Sequence, residues 1–426
     1  MLAIRPHNKI IGGILLIAGT AIGAGMLALP LKTAGAGLIP TSLLFAFGWL
    51  YMTIAGLLML EANLWFKGDV NLITMTRKTI GMPGQVIAWL SLLLLLYAIN
   101  VAYITECGSM IAITINKYFG THISPIAGSV GFTISFGVII FLGTVLVDYI
   151  NRVLMAGLIG IYLLLVLLAT PHIELSYLRT DTMQYLPLAF PIIVTSFAYQ
   201  FVIPSLKVYL NENVRDLIKT VLIGSTIPLL LYICWTAIIS GVIPTGGETG
   251  LIRIAQNDYP TSAMSLSLSD LFHAPWVPIT IHYFSLLALI TSFLGVTLSL
   301  ADFFSDALKI SPSKKGRALA TLLAIAPPLV IAMTYPDSFM AALGYAGVSV
   351  VILLGILPVL MVWAGRYRQN LTDSFRVPGG KLMLIAMLII SVTTIYLHFA
   401  EHFNLLPEKF YMSHALADAP VITADH

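Results

Sequence analysis

Two apolar stretches carry the residues best placed to hold a small solute. One reads Gly19-Thr-Ala-Ile-Gly23-Ala-Gly25-Met-Leu-Ala-Leu-Pro30 and the other Thr195-Ser-Phe-Ala198-Tyr-Gln-Phe-Val-Ile-Pro204. Each is a hydrophobic span interrupted near its middle and followed, at nearly the same distance, by a proline. An interruption at membrane depth leaves backbone N–H and C=O groups without intrahelical partners. Lipid supplies none, so these groups are expected to line a cavity. Paired interruptions in corresponding places of two halves point to the binding site of a secondary transporter. The helix after the first break starts with free N–H groups and about half a positive charge, which suits a carboxylate. Thr20, Ala21, Gly23, Ala24 and Gly25 are the candidates there. Carbonyls ending the first half-helices suit an ammonium group or a coupling cation. A zwitterionic amino acid meets both needs at once.

The walls are expected to be aromatic. Tyr97, Asn100 and Tyr103 recur three residues apart on one span and so share a helical face; Ser196, Phe197, Ala198, Tyr199 and Gln200 come from the second break. Aromatic rings favour a planar substrate, with a phenol or amide left to fix its orientation. Packing against neighbouring helices is the alternative role for each of these tyrosines. Thr291 and Ser292, with the carbonyls of Gly19 and Ile22, form a candidate coupling-ion site. Hydroxyls back-bonded to their own helix are the plainer reading of that pair. Gly19-x-x-x-Gly23 also fits a helix-contact motif. Gly23-x-Gly25-x-x-Ala28 mimics a dinucleotide fingerprint, but no strand precedes it, and that match is rejected.

Composition decides the class. Charged residues make up only 10% of the chain, 58% is hydrophobic and the mean hydropathy is +0.94. This is the profile of an all-α integral membrane protein in contact with the lipid bilayer. The net charge is +3, with basic residues scattered over short loops, so no nucleic-acid surface is expected. Cys107 and Cys234 both lie in apolar stretches and read as packing residues. No His-Glu-x-x-His, Gly-x-Ser-x-Gly or mid-depth carboxylate cluster occurs, so the chain does not read as an enzyme. No cofactor is expected beyond a coupling cation, H+ or Na+, and a continuous polar lining that would make a channel is lacking.

A crossing needs about 20 apolar residues, and eleven stretches qualify, near 8–31, 38–65, 85–115, 124–147, 152–170, 187–209, 218–243, 275–304, 317–335, 338–363 and 382–403. The first is too long and too well continued for a signal peptide. With a cytoplasmic N-terminus, seventeen Lys and Arg fall inside and five outside, a strong positive-inside bias. The C-terminus is then periplasmic, with Leu416 to His426 as a frayed tail. Asp69 to Gly84 reads as an amphipathic or structured inner connection, as does Val214 to Thr220. Pro244 to Pro275 reads as an outer lid or a passive loop. Both breaks fall about 20 Å into the bilayer, from opposite faces. The chain therefore divides into a first five-helix repeat over 1–170, an inverted second over 171–363, and an eleventh helix with the tail over 364–426.

Four segments together resemble the hydroxy and aromatic amino acid permease family, most strongly its bacterial tyrosine permeases. They are the Gly19 to Pro30 motif, Thr291-Ser-Phe-Leu-Gly-Val-x-Leu-x-Leu-x-Asp302, Ala342-Leu-Gly-Tyr-Ala-Gly-Val348 and Arg376-Val-Pro-Gly-Gly-Lys381. The resemblance covers all eleven spans. It implies the leucine-transporter fold of the amino acid–polyamine–organocation superfamily, a 5+5 inverted repeat with helices 1 and 6 broken. It also implies uptake of tyrosine, or a related aromatic amino acid, by proton symport at a bacterial inner membrane, in a monomer. Two departures stand out. The family's Ser-Phe-Gly-Phe-His-Gly is here Ser196-Phe-Ala-Tyr-Gln-Phe201, and no Lys or Arg occurs from Val153 to Leu178, where several proton-coupled relatives carry a lysine. The second departure leaves sodium coupling through Thr291 and Ser292 open.

Overall fold

The protein was analysed as a computed structural model, which describes residues 6–23, 25–68, 70–179, 183–184, 186–247, 250–257, 260, 263–264, 276–311, 313–371 and 375–407. Ala24, the 265–275 part of the long connection and the Leu416 to His426 tail lie outside them. Every regular element among the described residues is helical. Helix α1 (Pro6–Ala21) and α2 (Gly25–Lys32) form a bent pair, with 52° between them. Helix α3 (Leu38–Leu64) returns to the N-terminal face, where α4 (Leu72–Thr79) lies as a short connector. It is amphipathic, as expected: Asn71 caps it by accepting from Thr74 N, Leu72 and Met75 are buried, and Arg77 and Lys78 are exposed. Helices α5 (Met82–Phe119), α6 (Pro125–Leu142) and α7 (Thr144–Ala169) follow. The sixth span is divided into α8 (Phe190–Ser196), a short 3-10 turn at Gln200–Val202 and α9 (Ile203–Tyr209). Then come α10 (Val214–Val242), the short α11 (Leu251–Ala255), α12 (Trp276–Ala307) and α13 (Lys314–Thr334). Helix α14 (Phe339–Val350) runs through a π-helical turn at Val351–Ile356 into α15 (Leu357–Tyr367), and α16 (Gly380–His402) closes the fold.

Among the described residues ten spans are long and apolar enough to cross a membrane, and the bent α1/α2 pair brings the number to as many as eleven. Their burial sorts centre from rim. The spans at Leu186–Tyr209 and Phe339–Tyr367 are 78% buried, whereas Val145–His172 is 11% buried and α16 28%. Aliphatic side chains on the rim, such as Val145, Leu382 and Leu43, point outward, as a helix facing hydrocarbon requires.

One boundary differs from expectation. The fourth and fifth spans meet at Gly143, not between 147 and 152, because the chain turns there with φ 120°, a left-handed conformation that glycine adopts without a Cβ penalty. Asp148 and Arg152, which suggest a loop, are one turn apart on the exposed face of α7 and pair at 2.8 Å. A second difference concerns cysteine: Cys107 is buried as expected, but Cys234 is exposed on α10.

Near the N-terminal face a buried ion pair ties α3 to α15. Arg366 at the end of α15 donates to both oxygens of Glu61 on α3, at 2.6 and 2.5 Å, and to the Val377 carbonyl at 2.8 Å; Val377 N donates back to Glu61 at 2.7 Å. Both side chains are almost fully excluded from solvent. Removing one member of such a pair strands the other charge, which typically costs about 3–5 kcal/mol. Glu61→Gln should therefore lower the thermal unfolding midpoint of the detergent-solubilised protein markedly, while Lys32→Gln, at a half-exposed pair with Glu401 on the opposite face, should shift it little.

Candidate substrate site at the helix breaks

A cavity of about 620 Å³ lies at the two breaks. Glycine spacing explains why α1 stops where it does. Ile22 N still reaches Ala18 O at 3.0 Å, but Met26 N turns to Gly23 O, also at 3.0 Å, so the helix closes and restarts within four residues. The two breaks meet at Gly25, where any Cβ would overlap the Ser196 side chain at the end of α8. A Cβ on Gly23 would stand 3.2 Å from Ser292 Oγ and 3.5 Å from the Tyr103 phenol. Gly23 is thus the point where α1, α5 and α12 come together around the cavity. Gly19 has nothing within 4 Å of its missing Cβ. The cavity, and not a neighbouring helix, occupies that side, whereas Gly12 and Gly13 are the glycines pressed against Tyr209 and against Thr220 and Leu206.

Most candidates are brought together. Thr20, Ala21, Gly23, Gly25, Tyr103, Ser196 and Ala198 line the cavity, as do the ion candidates Gly19, Ile22, Thr291 and Ser292. Ala24 lies outside the described residues. Five candidates stand elsewhere. Asn100 accepts from Thr297 at 2.7 Å and ties α5 to α12; Tyr97 likewise turns away, to Leu323 O on α13 at 2.9 Å. The reason is helical drift. Each three-residue step falls about 60° short of a full turn, so over six residues the stripe leaves the cavity and only Tyr103 stays on it. Phe197 is fully buried, edge-on to Tyr232 with centroids 5.4 Å apart. Tyr199 is buried with its ring against Gly56 of α3.

Gln200 closes the second break from within. Its Nε2 donates to Met52 O at 2.9 Å and to Phe197 O at 3.4 Å, while its Oε1 accepts from Tyr199 N at 3.0 Å. A carboxamide with donor and acceptor thus serves Phe197 O and Tyr199 N within the break and ties it to α3 at Met52 O. Pro204 opens α9 in the first turn, where no N–H is needed.

Several hydroxyls of the wall are spent on their own helices. Thr20 donates to Leu16 O at 2.6 Å, Ser196 to Ile192 O at 2.8 Å and Thr291 to Ala288 O at 3.0 Å. These three hydroxyls present their lone pairs, not their protons, to the cavity. Two residues missing from the sequence-based set stand here. Asn151 lines the cavity with a buried, unpartnered Oδ1; its position looks like a loop when Asp148 and Arg152 are read as one. Tyr232 of α10 donates to Ala21 O at 2.8 Å and to Ser196 O at 2.9 Å. Nothing in the run Leu231-Tyr-Ile-Cys-Trp235 distinguishes it locally. Most of the remaining wall, including Leu15, Leu92, Leu96, Met155 and Phe303, belongs to helix halves on the N-terminal face, so the cavity leads to that side.

The model of the tryptophan/tyrosine permease family matches residues 6–398. The chain belongs to that family. It is 34% identical over 408 residues to the tyrosine-specific transport system 2 of Haemophilus influenzae, covering 94% of this chain and 98% of that one. It is 31% identical to the tryptophan-specific transport protein of the same organism, covering 92% and 96%. Among solved structures it superposes on MhsT in complex with L-phenylalanine with a TM-score of 0.60 and 16% identity, over 93% of this chain and 98% of that one. The fold is that of the leucine transporter, and the protein is a multi-pass membrane transporter of a bacterial permease family, not an enzyme.

Gly19 gives a clean probe of the cavity. Gly19→Leu has room for its side chain and should leave the solubilised protein monodisperse with an unchanged unfolding midpoint, yet abolish substrate binding by filling the chamber. Gly25→Leu should lose binding as well, with a lowered midpoint because it must displace Ser196.

Proposed function

We propose that this aromatic amino acid permease imports tyrosine in first place, by cation symport and alternating access, as a monomer in the bacterial inner membrane. In this reading the N-terminus is cytoplasmic and the C-terminus periplasmic, in accord with the distribution of Lys and Arg. The cavity then leads to the cytoplasm and corresponds to the releasing state. Spans one, two, six and seven rock against three, four, eight and nine, so each moving body takes spans from both the 1–170 and the 171–363 repeat, with 364–426 outside them.

The chamber of about 620 Å³ at the helix breaks is the observation that carries this reading. Its polar midplane is made of main chain and hydroxyls, whose carbonyl and hydroxyl oxygens suit an ammonium group and whose N–H groups at the start of α2 suit a carboxylate. The adjoining apolar wall of Leu92, Leu95, Ile99, Val296, Phe201 and Phe303 suits a large planar side chain. No Asp, Glu, His, Lys or Arg is among the described residues of that wall.

The resemblance implies a proton as the coupling ion. One observation favours sodium instead: Thr291 and Ser292 line the cavity together with Gly19 and Ile22, and the Thr291 oxygen keeps its lone pairs after donating to Ala288 O. Carbonyl and hydroxyl oxygens without net charge are apt ligands for an alkali cation at a broken helix.

Reconstituted proteoliposomes distinguish these readings. Labelled tyrosine should accumulate, with unlabelled tyrosine competing better than tryptophan or phenylalanine; absence of uptake under both a pH gradient and a sodium gradient rejects the symport reading. If sodium couples, Thr291→Ala with Ser292→Ala should raise the sodium concentration for half-maximal uptake at least about tenfold, since a lost contact to a charged partner costs about 1.5–3 kcal/mol. If a proton couples, the double variant should leave the pH-gradient response intact.

A further inference from the structure

The two half-helices that end at mid-depth, α1 at Ala21 and α8 at Ser196, turn their last carbonyls toward the same point. Two C-terminal helix ends meeting there sum their partial negative charge, and such a place ordinarily attracts a cation or the ammonium of a substrate. Here a side chain already stands at it. The Tyr232 hydroxyl lies 2.8 Å from Ala21 O and 2.9 Å from Ser196 O, and its single proton is shared between them. The ring is fully buried and held edge-on by Phe197, so the phenol is fixed behind the cavity wall, while both of its acceptor residues line the cavity in front. Helix α10, which carries it, also packs along α1 and α2.

We propose that Tyr232 is a positioning residue that serves as a tethered substitute for a bound cation at the seam between the two broken helices. Two consequences follow. The seam is held whether or not ions are bound, so α1 and α8 keep their relative position through the cycle. The transporter also has only one ion to couple, at the Gly19, Ile22, Thr291 and Ser292 cluster or its protonic equivalent. This rests on the symport reading above. Tyrosine is a neutral zwitterion, so each coupled cation appears as one net charge moved per substrate, whichever ion is used.

The test is a reversal-potential measurement on the full-length protein in proteoliposomes, with net charge per tyrosine as the readout. The wild type should move one charge per tyrosine; two charges would overturn the proposal while leaving symport intact. A wild type that takes up no aromatic amino acid under either gradient would overturn both. Tyr232→Phe keeps the ring and removes only the shared proton. It should weaken tyrosine binding at least tenfold, and sodium should now enter the vacated carbonyl pair: where sodium couples, the Hill coefficient for sodium activation rises from one toward two, and where a proton couples, a sodium dependence absent from the wild type appears. A merely structural role would lower protein yield and maximal rate alike without changing ion cooperativity. Unaltered KM and unaltered cooperativity in Tyr232→Phe would count against the inference, and the wild-type charge ratio decides it should that variant fail to fold.

Discussion

Peptide groups released from a helix in the middle of an apolar slab have to find partners, and much of the central architecture serves that need. An unpaired N–H or C=O surrounded by hydrocarbon costs several kcal/mol in round terms, about as much as a small protein's margin of stability. The molecule meets the requirement with neutral groups. Gln200 bonds the Met52 and Phe197 carbonyls and the Tyr199 amide, and Tyr232 takes the last carbonyl of each half-helix. What these residues leave unserved faces the chamber. The site is therefore the remainder of a backbone problem solved elsewhere, which is why it is built so largely of main chain.

Charge is distributed in the opposite way. Full charges are bonded near the two faces, where α3 and α15 end and where α2 meets α16. Glu61 and Arg366 are buried together, and Lys207 in the last turn of α9 donates to Asn63 O at 3.2 Å and Gly68 O at 3.3 Å where α3 gives way to its loop. Lys32 and Glu401 meet at 2.5 Å on the other face. A charge placed at mid-depth would be costly in hydrocarbon and would compete with the ammonium or carboxylate of a substrate. Neutral dipoles hold a zwitterion without outbidding its own two ends for each other. Strong pairs at the faces and weak ones at the centre leave the chamber able to change shape while the ends of the helices stay bonded.

Much of this was legible in the chain. Gly19, Gly23 and Gly25 beside Pro30, and the stretch before Pro204, announce two interruptions because glycine and proline act on the backbone locally, with no help from tertiary contacts. Seven of the substrate candidates and all four ion candidates consequently fall on one cavity. What failed depended on rotation and on partners. Asn100 shares a local stripe with Tyr103, yet the drift of a three-residue repeat turns it to Thr297. Tyr199 and Gln200 lie in the break, as expected, but their side chains fold into the protein to repair it. Gly143 is a quieter turn signal than the charges of Asp148 and Arg152, and Asn151, which lies between those two, is hidden with it. Tyr232 has no local signature at all; only the meeting of α1, α8 and α10 gives its hydroxyl a purpose.

A main-chain grip has a consequence for selectivity. In the proposed reading the carbonyls and amides at the breaks meet the ammonium and carboxylate common to all α-amino acids, so they cannot tell one from another. Choice must come from the apolar wall that receives the side chain, where a methylene more or less is worth only about 1–3 kcal/mol, and from any polar group that meets a phenol or an indole N–H. Discrimination among aromatic substrates can therefore change through a few wall residues while the broken helices stay as they are. This fits a family whose members are named for tyrosine in some cases and tryptophan in others, at similar distances from this chain. In the proposed reading the unwound backbone holds what all α-amino acids share, and the side chains that line the apolar wall, such as Ile99, Val296 and Phe201, are where the choice of cargo would be made.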